Sequence, residues 1–254
     1  MTSRLVTPAI VLRTVDYADA DRVVTLFTRD AGKLSALARG ARKSVRRFGA
    51  ALGLFGVGEA LLHDKPNAEL LGLERFDGAR GFPALMADVA KVAHGSYVCE
   101  LVRELIPPRQ PEPHIFDLLI GFLSSLELSA ARAETLRIFE LRLLDDLGLR
   151  PQIDRCVGCD SRALGGPGDV LDVRRGGVVC ANCHGHGRPL GDQVRRALVD
   201  AQALSLEDAA GFSLSATVNA GCREALSAII LDHVGRPLKS LEFIAKLNHA
   251  SASS

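Results

Sequence analysis

The chain has 254 residues, room for one large domain or two to three small ones, and its 47% hydrophobic and 24% charged content is that of a globular protein. The net charge is only +1, there is no Trp, and there are just two Tyr, so any base stacking would rest mainly on the ten Phe. No apolar run reaches the length of a membrane-spanning helix, and the start MTSRLVTPAIVL lacks the long apolar region and cleavage site of a signal peptide, so a cytoplasmic protein is expected.

Short segments rich in Val, Leu, Ile and Thr come first: 9–15, 22–28, 33–39, 55–64 and 69–76, separated by turn-forming residues at 17–21 and 29–32. Five strands in so short a stretch predict a small barrel, with the oligonucleotide-binding (OB) fold as leading candidate for a domain over 1–80. After Pro83 the apolar spacing turns helical over 84–105, 114–128 and 130–149, with PPRQPEP breaking the first from the second. Residues 150–190 are rich in Gly, Cys and Pro. Helical spacing returns at 193–204, 219–234 and 233–247. The predicted class is α+β: an OB-fold β-barrel, then an α-helical domain over 81–248 with an inserted module at 150–190 and a frayed tail at 249–254.

Charge is concentrated at one end. Residues 1–50 hold ten Lys and Arg against four acids, and no acid occurs between Asp30 and Glu59. That acid-free span carries Lys33, Arg39, Arg42, Lys43, Arg46 and Arg47. Solvated charged faces usually mix their signs, so an uncompensated run predicts a polyanion, here a nucleic-acid backbone met by a mobile basic loop. Phe48 and Phe55 are the aromatic residues available for stacking on bases, with core packing as the alternative, favoured for Phe55 and open for Phe48. No base-reading motif accompanies them, so binding without sequence specificity is expected.

Cys156-Val-Gly-Cys159 and Cys180-Ala-Asn-Cys183 form two CxxC pairs separated by 20 residues. That spacing predicts one structural Zn²⁺ held by four thiolates, with no open coordination position for catalysis. The neighbouring His184 and His186 read as solvated residues. Cys99 and Cys222 lie in apolar helical stretches and read as buried thiols. No P-loop, GxSxG or HExxH motif is present, and Asp16, Asp19, Asp21, Asp145 and Asp146 fall at turns or helix ends where Asp is favoured locally, so no enzyme is expected. A thiol oxidoreductase, a nuclease, and a zinc-containing adaptor that binds only protein are the competing readings.

Three stretches carry a family likeness: 9–43, from AIVLRTVDYADADRVV to LARGARK; LRLLDDLGLRPQIDRCVGC (141–159); and LDHVGRPLKSLEFI (231–244). They resemble the RecO family of bacterial DNA repair and recombination proteins. The resemblance implies a mediator that binds single- and double-stranded DNA, anneals complementary strands, and contacts RecR and single-strand-binding protein. It also implies help in loading RecA onto coated single strands. Carried over, the DNA-binding positions are Lys33, Arg39, Arg42, Lys43, Arg46 and Arg47. A pocket for the acidic C-terminal tail of single-strand-binding protein should pair apolar walls with cations, for which Arg132, Arg137, Arg142, Arg236 and Lys239 are candidates. The implied place of work is the cytoplasm, at the nucleoid.

Overall fold

A computed structural model describes residues 3–48, 52–64 and 70–244. The expected tail at 249–254 lies outside them. Five strands close into a barrel: β1 (Ser3–Tyr17), β2 (Asp21–Thr28), β3 (Gly32–Ala38), β4 (Val57–Asp64) and β5 (Leu71–Arg80), in the order β1-β2-β3-β5-β4. All neighbours are antiparallel except β3 and β5, which gives the five-stranded barrel of an OB-fold. A four-residue helix, α1 (Val45–Phe48), lies between β3 and β4.

Strand β1 is longer than its sequence signal because it serves two partners. Its first half pairs with β4, Ser3 opposite Asp64, and its second half with β2, ending at Tyr17 opposite Asp21. Between Val11 and Arg13 the register slips by one residue. A slip of one residue exchanges the faces of a strand. Val11 therefore points into the barrel with Val24, Leu26, Leu34 and Ala36, while Ile10 and Leu12 are buried outside that cluster.

Helices cover this outer surface: α2 (Pro83–Met86), α3 (Val89–Leu105) and α4 (Pro113–Leu128). The rings of Phe27 and Phe116 meet with centroids 5.9 Å apart, and Phe55 lies against Gly95 of α3. The single helix expected from residue 84 is two, because Asp88 caps a new start, its carboxylate accepting the Ala90 and Lys91 N–H groups at 2.8 and 3.1 Å. A helical segment at 239–244 joins the same unit: Ser240 donates its N–H and its hydroxyl to buried Glu100 at 2.8 and 2.5 Å. The expected boundary at residue 80 follows the change from strand to helix. Packing groups the described residues differently, with those up to 130 and from 239 onward in one compact unit and 131–238 in a second.

The second unit contains α5 (Ala133–Asp146), α6 (Asp192–Ala203) and α7 (Ala216–Val234), with a small sheet of β6 (Val170–Asp172), β7 (Gly177–Val179) and β8 (Arg188–Pro189) in the order β7-β6-β8. Ile138, Leu141, Leu144, Leu198, Leu226 and Ile229 build its core. Within it, Arg137 and Glu140 form a buried ion pair at 3.1 Å. Cys99 in the first unit and Cys222 in the second are buried, and burial pushes their thiols up to about 12 and about 11, as suits inert structural cysteines. Among the described residues no helix is long and apolar enough to cross a membrane.

Gly32, at the β2–β3 turn, fixes how the α3–α4 connection meets the barrel. Its φ is +70°, and a Cβ there would stand 2.0 Å from the carbonyl oxygen of Gln110. Gly32→Ala is expected to lower the unfolding free energy by about 2–4 kcal/mol, from left-handed strain plus forced displacement of the connection. Urea denaturation followed by circular dichroism checks this; a loss under about 0.5 kcal/mol would mean the close approach is not maintained in solution.

Candidate nucleic-acid interface and metal centre

The segment after β3 closes one end of the barrel. Ala41, Phe48 and Leu52 are 8%, 1% and 1% exposed and belong to the barrel core. Polar bonds add to these apolar pins. The Gly40 N–H donates to Asp21 Oδ1 at 2.8 Å, the Arg42 N–H to the Ala20 carbonyl at 3.0 Å, and the Thr14 hydroxyl to the Leu52 carbonyl at 2.7 Å. Residues 39–48 are thus held to the β1–β2 hairpin, and the expectation of a mobile basic loop is corrected for them. Arg39, Arg42, Lys43 and Arg47 are exposed.

These four cations are not equivalent. Arg47 donates to the Arg39 carbonyl at 2.8 Å and to the Ser44 hydroxyl at 3.2 Å, and its guanidinium lies 5.0 Å from the centroid of the Phe48 ring. It is partly occupied in holding the turn. Arg42 makes a longer bond, 3.4 Å, to the Asp19 carbonyl. The side chain of Arg46 lies outside the described residues.

One expectation changes, and for the two aromatic rings core packing is what is found, as favoured for Phe55 and left open for Phe48. Lys33 does not join the exposed group: its ammonium donates to the Arg103 carbonyl, and its own carbonyl accepts the Arg109 N–H at 3.0 Å. Burial lowers the pKa of this lysine. The sequence places it in an acid-free run, but β3 begins under the helices and buries that end. Phe48 and Phe55 are 1% and 2% exposed, so neither ring is presented for stacking. Conversely, Tyr17 at the end of β1 is 57% exposed, a residue hidden in the sequence by its position in a run read as a turn.

The proposed partner-facing cations separate in the same way. Arg137 is 3% exposed and serves the buried pair with Glu140, so it offers nothing at a surface. Arg132 donates to the carbonyls of Ala209, Ala210 and Phe212, and Arg142 to that of Leu204 at 2.7 Å. Arg236 and Lys239 are exposed.

In the second unit the two CxxC pairs converge. The four sulfurs lie within 4.8 Å of one another, and those of Cys159 and Cys180 are 3.7 Å apart. Four sulfurs each about 2.3 Å from one ion would stand about 3.8 Å apart at tetrahedral corners, so the donor set fits a tetrahedral ion. Each pair ends on a left-handed residue, Asp160 at φ 58° and His184 at φ 49°. Gly158 is required by proximity rather than by the turn alone, since a Cβ there would stand 2.9 Å from Arg175 Nη2 and 3.0 Å from Cys183 Sγ. Asp169 ties the surrounding loops, accepting the Gly165 and Ala181 N–H groups at 2.6 and 3.1 Å.

Burial opposes a Cys156 thiolate, but N–H groups led by that of Cys180 outweigh it and bring the thiol down to about 6. Hydrogen bonding to the Cys159 and Cys180 sulfurs holds the Cys183 thiol up at about 12. Four thiolates packed this closely would repel one another, and a divalent ion is what would let them share the space. His184 and His186 are exposed, and among the described residues the four cysteines are the one group of His, Cys, Asp or Glu close enough for a metal.

Comparison with known proteins agrees with both halves of the chain. Family models described as Recombination protein O N terminal and Recombination protein O C terminal match residues 1–82 and 86–242. A relative from Anaeromyxobacter dehalogenans, named DNA repair protein RecO, is 41% identical over 241 residues, 94% of each chain. Relatives of the same name from Geobacter sulfurreducens and Myxococcus xanthus are each 36% identical, covering 94% of this chain and 96% of theirs.

Purified protein is expected to carry one tightly held metal ion. Cys156→Ala and Cys183→Ala should each lose it and melt at lower temperature, because ion binding contributes folding energy to a region with little core. Elemental analysis alongside thermal denaturation tests this, and metal content unchanged in both variants would sink the assignment.

Proposed function

The chain belongs to the recombination protein O family, and from that membership we propose that it is a recombination mediator without turnover chemistry of its own. It binds single- and double-stranded DNA without sequence specificity and anneals complementary strands. With RecR, it helps load RecA onto strands coated with single-strand-binding protein. Membership supports a role in DNA repair and recombination. The observation that carries the DNA contact is the set of exposed cations fixed on the closed end of the barrel by Ala41, Phe48 and Leu52.

Annealing brings two phosphate backbones together. Cations on a fixed surface lower the repulsion between them and leave the base edges free to pair. Arg39, Arg42 and Lys43 are the foremost phosphate contacts, with Arg47 contributing from its turn-holding position. In this reading Cys156, Cys159, Cys180 and Cys183 hold one Zn²⁺, whose part is structural, fixing the loops of the second unit. A tetrathiolate site has no open position for substrate. Arg236 and Lys239 remain the exposed cations for the acidic tail of single-strand-binding protein.

One observation favours the adaptor reading as a second possibility. A cleft of about 910 Å³ beside the cysteine cluster is lined by Arg150, Asp154, Arg155, Asp160, Arg175 and Val199 among others, a mix of both charges and apolar groups suited to a protein segment.

The two readings separate on DNA. Changing Arg39, Arg42 and Lys43 together to Gln is expected to weaken binding of a labelled single-stranded oligonucleotide and to flatten the slope of log K against log salt by about 2, three contacts at roughly 0.7 each. Fluorescence anisotropy over a series of salt concentrations reads both. Binding indifferent to the three changes would move the contact elsewhere, and absence of DNA binding in the wild type would favour the adaptor.

A further inference from the structure

We propose that Tyr17 is a base-stacking platform for single-stranded nucleic acid, set into the outer face of β1–β3. The inference rests on the DNA-binding reading above and deepens it: it names a single strand, with its bases unpaired, as the form this face selects.

Strand register defines the face. Val15, Val23 and Leu37 are cross-strand partners in one row. In the next row Tyr17 opposes Asp21, and Arg39 follows two residues after Leu37. Cross-strand partners, and residues two apart on one strand, project from the same side of a sheet. The inward side is occupied by Val24, Ala36 and Ala38, each 0% exposed, so this row and the next face outward. Arg13, Val15, Tyr17 and Leu37 therefore share one outer surface, and Arg39 follows in the turn directly after β3; Arg13, Val15, Tyr17 and Arg39 are exposed. An aromatic ring flanked by aliphatic side chains and bordered by guanidinium groups is the combination that single-strand binders use, stacking for the bases and cations for the backbone.

The acids nearby give the strand a direction. Asp16 pairs with Arg22 at 3.0 Å, and Asp21 accepts the Gly40 N–H at 2.8 Å. Asp19 is exposed at the hairpin tip. Phosphates are repelled from the tip and drawn to the side of Arg39, Arg42 and Lys43, which leaves a base over the Tyr17 ring. The 39–43 turn is fixed to this hairpin through Gly40 and Arg42, so ring and cations keep their spacing. A duplex keeps its bases stacked on one another and can use only the cations.

The composition of the chain supplies a direct probe. There is no Trp, and the second of the two Tyr, Tyr97, is 0% exposed in α3. Tyrosine emission that changes on binding an oligothymidylate reports Tyr17. The experiment titrates wild-type protein, Tyr17→Ala, Tyr17→Phe and the Arg39/Arg42/Lys43→Gln variant with oligothymidylate and with a duplex of equal length. Affinity is followed by anisotropy and stacking by tyrosine emission, with circular dichroism to confirm folding.

Wild-type emission should be quenched by the single strand. Tyr17→Ala should lose about 5- to 150-fold in single-strand affinity, the range of one stacked base, with duplex affinity kept within about twofold and the salt slope unchanged. Tyr17→Phe should retain affinity and lose the quenching. If Tyr17→Ala binds single strands as the wild type does, or loses duplex binding equally, the stacking inference is overturned; the DNA-binding reading then stands provided the three-cation variant is still impaired. If the wild type binds neither DNA, both fall.

Discussion

Closure of the barrel is the constraint on which the candidate interface depends. One end of the barrel has to be plugged, and Ala41, Phe48 and Leu52 do it from the segment between β3 and β4, whose charged side chains are all cationic. Like charges repel, and such a segment left free would spread. Burying three apolar side chains at about 25 cal/mol per Å² offsets that repulsion. Arg47 uses the same logic at shorter range, laying its guanidinium on the Phe48 ring and tying off the Arg39 carbonyl.

A fixed cationic surface differs from a mobile one in the cost of engaging a ligand. Ordering a loop of ten residues on binding costs about 1–2 kcal/mol of backbone entropy per residue. Here the hydrogen bonds from Gly40 and Arg42 to the β1–β2 hairpin have already met that cost in the folded protein. Only side-chain freedom remains to be lost, and long flexible side chains adapt to a phosphate track of any sequence. Binding that is both general and salt-sensitive is the natural property of such a surface.

The barrel and the helices were legible because their periodicities are clean: alternation in 33–39, helical spacing in 114–128 and 219–234. The cysteine cluster was legible because metal ligation imposes a spacing that little else does. What escaped were properties set by distant parts of the chain. Lys33 reads as one more cation in a basic run, and only the backbone of Arg103, 70 residues on, makes it a half-buried hydrogen-bond donor. Arg137 sits on an amphipathic helix, yet Glu140 draws it into the core. The bulge at Leu12, which decides which side of β1 lies under the helices, has no local signature in AIVLRTV. Phe48 is the instructive residue. An aromatic in a basic run suggests stacking, and the same ring is what the barrel needs as a plug.

The two units divide the physical problem between them. The first has a large apolar core and can carry unbalanced charge at its margin. The second relies on a smaller core, a buried ion pair and a sulfur cluster whose members oppose one another's ionisation. Cys156, with N–H groups aimed at its sulfur, is set up to be a thiolate, while hydrogen bonding to neighbouring sulfurs holds the Cys183 thiol up. An ion at the centre would turn that mutual opposition into cohesion. The loops of 150–190, whose short strands and turns bury little, would then gain from coordination the stability that the barrel gains from Phe48 and Leu52.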